Sequence, residues 1–254
     1  MSELKQTLID KVIDPLERPE LYKKYDLGVE NGILLYGPPG TGKTYITKAL
    51  AGEIDCSYME LKSSEITSSL VGKSSDNVRE IFETAKKNQP CIVFFDEIDG
   101  IASKRSGGAQ KTQSERQMIN QLLTEISEIN EKKELDITII GATNLKDEID
   151  EAFTRPGRFN EKIKVPPPDA EARIAILRIH LRSRPVIKDK INWEEIKDFT
   201  EGYSASDLEL IAKESARRAL SESKKQNKLQ KITQKHIKEA IDENPPSLAK
   251  KRSR

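Results

Sequence analysis

Gly37-Pro38-Pro39-Gly40-Thr41-Gly42-Lys43-Thr44 is the stretch whose residue types and spacing carry the plainest chemistry. It fits G-x-x-x-x-G-K-[ST], a spacing suited to capture of a polyphosphate. Glycines let the backbone curl so that successive N–H groups point at one anion. A helix that starts at the loop's end adds its positive dipole terminus. Lys43 then meets the β- and γ-phosphates, and the Thr44 hydroxyl holds Mg²⁺. Pro39, Gly40, Thr41, Gly42, Lys43, Thr44 and Tyr45 are the candidate nucleotide contacts. A Gly/Pro-rich surface turn shares the composition, so the flanks matter. Ile33 to Tyr36 reads as a buried strand before the loop. Ile46, Ala49, Leu50 and Ile54 recur at helical spacing after it.

Phosphoryl transfer also needs a metal-side carboxylate, a group that orients water, and positive charge on the transition state. Cys91 to Phe95 is a fully apolar run that delivers Asp96 and Glu97. At the carboxyl end of a parallel strand these carboxylates lie where ligands bind. Asp96 suits the Mg²⁺ shell and Glu97 the polarisation of water; the bland reading is an acidic helix cap. Asn144 closes the strand-like Ile137–Thr143 and is placed to sense a γ-phosphate, though Asn is also a common turn residue. Arg155 and Arg158, in Arg155-Pro156-Gly157-Arg158-Phe159, offer planar donors for phosphate oxygens. By themselves they serve equally as a loop that binds a carboxylate.

The elements that must position these groups alternate strand-like and helix-like through the first two thirds of the chain, the pattern of a parallel α/β sheet. Strands are expected at Ser57–Leu61 and Lys162–Val165 besides those above. Helices are expected at Asp76–Lys87, at Ser114–Ile129 and, shortly before Arg155, as one brief turn. Pro166-Pro167-Pro168 then punctuates the chain. Helices follow at Ala170–Leu181, Trp193–Phe199, Ser206 to about Ser223, and Gln234–Asp242. Ser206 with Glu209 reads as the capping box of the third. The expected division is residues 1–168 as an α/β nucleotide-binding domain and 169–243 as a small four-helix lid. Residues 244–254 read as a basic disordered tail.

The chain has 254 residues, with 43 Lys+Arg against 42 Asp+Glu, a net charge of +1. That balance offers no global field for nucleic acid or an anionic membrane. No apolar run has the length of a membrane span, and no signal-like segment opens the chain. Cys56 and Cys91 lack metal-type spacing and read as reduced core residues. A cytoplasmic protein is expected.

Taken together, the motifs resemble the AAA ATPases from about Leu4 to Pro246. The likeness is nearest the branch with valosin-containing protein, proteasomal ATPases and the ESCRT-disassembly ATPase. Gly37–Thr44 is similar to the family's Walker A motif, Ile92–Glu97 to Walker B, Asn144 to sensor 1, and Thr138–Phe159 to the second region of homology. Gly202-Tyr203-Ser204-Ala205-Ser206-Asp207-Leu208 resembles the family's Gly-Tyr-Ser-Gly-Ala-Asp-Leu. The resemblance implies a P-loop NTPase sheet flanked by helices, followed by a helical lid. It implies ATP or ADP with Mg²⁺ as ligands. It implies a homohexameric ring in which Arg155 and Arg158 act on a neighbour's nucleotide; an isolated chain of this kind is also compatible with a monomer. His180 matches a position near the ribose and adenine, and Ala205 and Ser206 match the lid's contact with the base.

Three departures bear on function. The family's Asp-Ile-Gly-Gly stretch has no counterpart before Leu4-Lys5-Gln6. That implies either a piece of a longer protein or a nucleotide held by fewer base contacts. The family's pore loop has an aromatic residue where this chain has Leu70-Val71-Gly72, which keeps the apolar bulk and loses the ring's stacking. Ala205 replaces a glycine. The expected function is ATP hydrolysis coupled to remodelling or unfolding of proteins. The rival classes are a clamp-loader or initiator-like ATPase on nucleic acid, and a weakly hydrolysing nucleotide-gated scaffold. The first rival would want a basic surface and a lid arginine, and Gly202–Leu208 has none.

Overall fold

Five parallel strands form the sheet of the computed structural model, which describes residues 2–25, 31–63, 66, 74–104, 112–132 and 134–248. The strands are β1 Gly32–Tyr36, β2 Ser57–Lys62, β3 Cys91–Asp96, β4 Ile137–Thr143 and β5 Glu161–Lys164. Their order is β2-β3-β4-β1-β5. Runs such as Cys91–Phe95 and Ile137–Ala142 lack alternation because central parallel strands are covered on both faces. All of β4 is buried, and β3 is buried up to Asp96. The edge strand β2 is only partly buried. Register sets Tyr36 opposite Thr143, and Phe95 opposite Gly141. The residues that follow β1, β3 and β4 therefore emerge along one edge of the sheet.

The chain divides into two compact units. One comprises Ser2–Gly37 and Lys43–Val165; the other comprises Pro38–Gly42 and the chain from Pro166 onward. In the first, the helices Ser74–Lys87 and Gln113–Glu131 pack on one another. Their apolar faces join strand residues in a core that includes Phe82, Phe95, Leu122, Ile126, Phe153 and Phe159. The helix Gln113–Glu131 opens on a capping box made by Thr112 and Glu115. An N-terminal helical stretch, unmarked by any motif, runs through Ser2–Leu8, a π-turn Ile9–Ile13, and Asp14–Glu17. It buries Leu4, Leu8 and Val12, and Lys11 pairs with Glu161 on β5.

In the second unit, Ala170–Leu181, Trp193–Phe199, Ala205–Gln226 and Gln234–Glu243 enclose Leu177, Ile196, Leu208, Ile211 and Ile237. Two expectations are corrected here. The capping box of the third helix is Ser204 with Asp207, and Ser206 already lies in the first turn. Ser204 has the extended backbone an N-cap needs (φ −79°, ψ 169°), and its hydroxyl accepts from Asp207 N–H. Both serine-to-acid spacings exist in the sequence, and the entry geometry selects the earlier one. The tail is also not free from residue 244: Asn244 and Ser247 are hydrogen-bonded to the unit. Residues 249–254 lie outside the described residues. Cys91 is buried, Cys56 is half-buried just before β2, and both are free thiols. Burial pushes the Cys91 thiol up to about 11.

Candidate functional site

Between β1 and the helix Lys43–Glu53, the loop turns through left-handed conformations at Gly40 (φ +72°) and Gly42 (φ +90°). Only glycine adopts these without strain. A Cβ on Gly40 would also lie 2.9 Å from Ser204 Oγ. The Ser206 N–H donates to Gly40 O at 3.1 Å, so the loop is tied to the first turn of the lid helix Ala205–Gln226. A Cβ on Gly42 would lie 3.6 Å from Ala205 Cβ. Thr41 Oγ1 closes the loop on Pro38 O at 3.0 Å.

In the α/β unit, Lys43 is buried, with 8% of its surface exposed. Its Nζ donates to Gly37 O at 2.9 Å and to Asn144 Oδ1 at 2.6 Å. Burial lowers its pKa, and the carboxylates of Asp96 and Asp99 oppose that shift. Thr44 Oγ1 donates to Asp96 Oδ2 at 3.0 Å. Lysine, threonine, aspartate and asparagine from three separate segments thus meet at the carboxyl edge of β1, β3 and β4.

Glu97 follows Asp96 in a left-handed conformation (φ +51°), which a non-glycine residue holds only when its surroundings fix it. Those surroundings are visible. Its N–H donates to Asp96 Oδ1 at 3.1 Å, and its carbonyl accepts from Ser63 Oγ at 2.5 Å. The side chain is exposed. Asp99, which no motif marks, accepts from Thr143 Oγ1 at 2.7 Å, and Thr143 Oγ1 in turn accepts from Leu145 N–H. That pair ties the chain after β3 to the end of β4, immediately before Asn144. Its only trace in the sequence is Asp99 three residues after Asp96, a spacing shared by many helix starts.

Arg155 and Arg158 are not equivalent. The short helix Glu151–Thr154 is capped by Asp150, and Arg155 follows it exposed. Arg158 is half-buried and turned inward. Its Nε donates to Ser127 Oγ at 3.2 Å and its Nη1 to Ala152 O. Asn160 Oδ1 accepts from the N–H groups of Gly157 and Arg158 and holds the turn. Phe159 is fully buried and anchors it. Gly32 on β1 allows the close approach, because a Cβ there would lie 1.7 Å from Arg158 O.

Tyr45 is 56% exposed, on the first turn of its helix. His180 is half-buried in the last turn of Ala170–Leu181. Leu70, Val71 and Gly72 lie outside the described residues.

A Mg²⁺ ion fits the donor set. Thr44 and Asp96 present hard oxygen atoms side by side, and Mg²⁺ is commonly held by one or two carboxylates plus phosphates and water. No cluster of three or more His, Cys, Asp or Glu side chains suited to a metal occurs among the described residues. No helix among the described residues is long and apolar enough to cross a membrane.

A parallel sheet with β1 feeding a glycine-rich loop, and with Lys-Thr facing an acidic strand end, defines the α/β P-loop NTPase fold. Family models agree in detail. Residues 33–167 match the ATPase family associated with various cellular activities (AAA), and residues 190–239 match the AAA+ lid domain. The chain belongs to the AAA ATPase family. It is 42% identical over 260 residues to the Cell division cycle protein 48 homolog of Archaeoglobus fulgidus, covering 98% of this chain and 35% of that protein. It is 40% identical over 223 residues to a Putative cell division cycle ATPase of Plasmodium falciparum, covering 88% of this chain and 18% of that protein. The chain therefore spans about a third of the first relative and less of the second. The first likeness agrees with the branch expected from the motifs.

Proposed function

We propose that this chain binds ATP with Mg²⁺ at Gly37–Thr44, hydrolyses it in a ring of identical subunits, and uses the cycle to remodel proteins. The observation that carries the reading is the meeting of Lys43, Thr44, Asp96 and Asn144 at one sheet edge. Backbone N–H groups of the loop and Lys43 bind the phosphates. Thr44 and Asp96 would hold Mg²⁺, which neutralises phosphate charge when bound. Glu97 accepts a proton from the attacking water, and Asn144 orients that water against the γ-phosphate. Lys43 and Asn144 already touch, so a phosphate entering between them gains both contacts without long side-chain searches.

The two arginines divide the finger role. Arg155 is the exposed group that reaches a neighbour's γ-phosphate, and Arg158 shapes the loop within its own subunit. His180, Ala205 and Ser206 complete the nucleotide site on the lid side.

The test is the ATPase rate per subunit against protein concentration, with molar mass read by light scattering in the presence of ATP–Mg²⁺. A rate that climbs as a six-subunit mass appears supports the shared site. A constant rate from a monomer overturns the ring mechanism for this chain.

Lys43→Ala isolates the first step. It removes the buried ammonium and leaves Asn144 Oδ1 and Gly37 O without that donor. ATP affinity is expected to fall roughly 10- to 100-fold, the loss of charge-assisted contacts to phosphate. Titration with a fluorescent ATP analogue checks this. Unchanged affinity would remove Lys43 from the phosphate site.

A further inference from the structure

The segment that follows the last lid helix returns to the N-cap that touches the phosphate loop. Tyr203 Oη reaches the carbonyl oxygens of Ile241 (3.1 Å) and Asn244 (2.6 Å) and starts the return. Three residues later, Ser247 grips Asp207. Its N–H donates to Asp207 Oδ2 at 3.0 Å, and its hydroxyl donates to the same oxygen at 2.7 Å. That oxygen also accepts the Ser204 N–H at 2.8 Å, one half of the capping box. The Ser247 hydroxyl lies 3.2 Å from Ser204 Oγ as well. Burial alone would raise the Asp207 pKa, but the hydrogen bonds from Ser247 and Ser204 outweigh it and hold the carboxyl below its usual range.

We propose that Ser247 is a positioning residue for the phosphate loop, and that the segment Asn244–Leu248 acts as a strap on it. The inference rests on the reading of Gly37–Thr44 as the nucleotide site. One carboxylate oxygen serves both the helix cap and the strap, so the two are coupled. The cap places Ser204 Oγ against Gly40 and sets the first turn, where the Ser206 N–H holds Gly40 O. Loosening Ser247 frees Asp207 to turn toward solvent. The cap then loses one of its reciprocal bonds, and the loop loses its tie at Gly40. A change at Ser247 can therefore tighten or slacken the phosphate loop. Ser247 is exposed, so a substitution or modification there leaves the packed core intact.

The variants are Ser247→Ala, Ser247→Glu and Ser247→Thr. Threonine keeps the hydroxyl, alanine deletes it, and glutamate sets a second negative charge against Asp207. Two readouts are made on the full chain: ADP–Mg²⁺ affinity, and hydrogen exchange of the Ser206 amide. Ser247→Ala is expected to weaken ADP binding and speed Ser206 exchange, each roughly three- to tenfold, the scale of one charge-assisted hydrogen bond at an exposed site. Ser247→Glu is expected to do more, and Ser247→Thr to stay near the parent. Melting temperatures are recorded alongside to separate the effect from general loosening. Ser206 exchange and ADP affinity that are equal in the parent and in Ser247→Glu would overturn the strap. A parent that fails to bind ADP would instead overturn the nucleotide reading, and Ser206 exchange still decides whether Ser247 holds the loop.

Discussion

Arg155→Ala is expected to lower the ATPase rate of the assembled protein by roughly 10³–10⁵, the range that an arginine acting in trans contributes to phosphoryl transfer. The side chain is exposed and has no hydrogen bond or ion pair among the described residues, while its backbone neighbourhood is firmly held. Asp150 caps the helix before it, Asn160 locks the turn after it, and Phe159 is buried beneath. A rigid base with an unengaged guanidinium is what action on a neighbouring subunit requires. The melting temperature should therefore stay unchanged. Mixing Arg155→Ala subunits with Lys43→Ala subunits should restore part of the activity, because some sites then join an intact lysine to an intact arginine. Arg158→Ala should differ, since it strips contacts from Ser127 Oγ and Ala152 O and so lowers the melting temperature as well as the rate. An Arg155→Ala protein that assembles and turns over ATP at the parent rate would sink the trans role.

Glu97→Gln is expected to reduce kcat by roughly 10²–10⁴, the usual contribution of a positioned general base. ATP binding should persist, because Lys43, Thr44 and Asp96 are untouched. The change is nearly isosteric, and the backbone of residue 97 is held by Asp96 Oδ1 and Ser63 Oγ regardless of the side chain. Single-turnover hydrolysis separates the outcomes. Trapped, unhydrolysed ATP on the variant supports the water-polarising role. Retained turnover would refute it and return Glu97 to a helix-entry role.

Much of the architecture was legible because its signals are local. The apolar runs at Ile33–Tyr36, Cys91–Phe95 and Ile137–Thr143 became central strands, and the lid helices begin and end within a few residues of their expected bounds. The misread capping box has a simple cause. Ser204 and Ser206 each have an acidic residue three positions on, and spacing alone cannot say which serine stands outside the helix. The anchored start of the tail was missed for a related reason. Asn244-Pro245-Pro246-Ser247 has the composition of a loose end, and the partners that hold it, Tyr203 and Asp207, lie 41 and 40 residues away in the sequence.

By itself, then, the sequence determined the phosphate loop, the acidic strand end, the two arginines and the α/β-then-helical layout, since each depends on neighbours within a few residues. Tertiary structure decided which of these groups meet. Lys43 and Asn144, 101 residues apart, touch only because the strand order sets β4 between β1 and β3. The same order brings Asp99 to Thr143. Packing on Ser127 turned Arg158 inward and left Arg155 outside. Hydrophobic periodicity records which face of an element is buried but not which element lies beside it. Long-range hydrogen bonds are chosen by that adjacency, so they emerge only once the chain has packed.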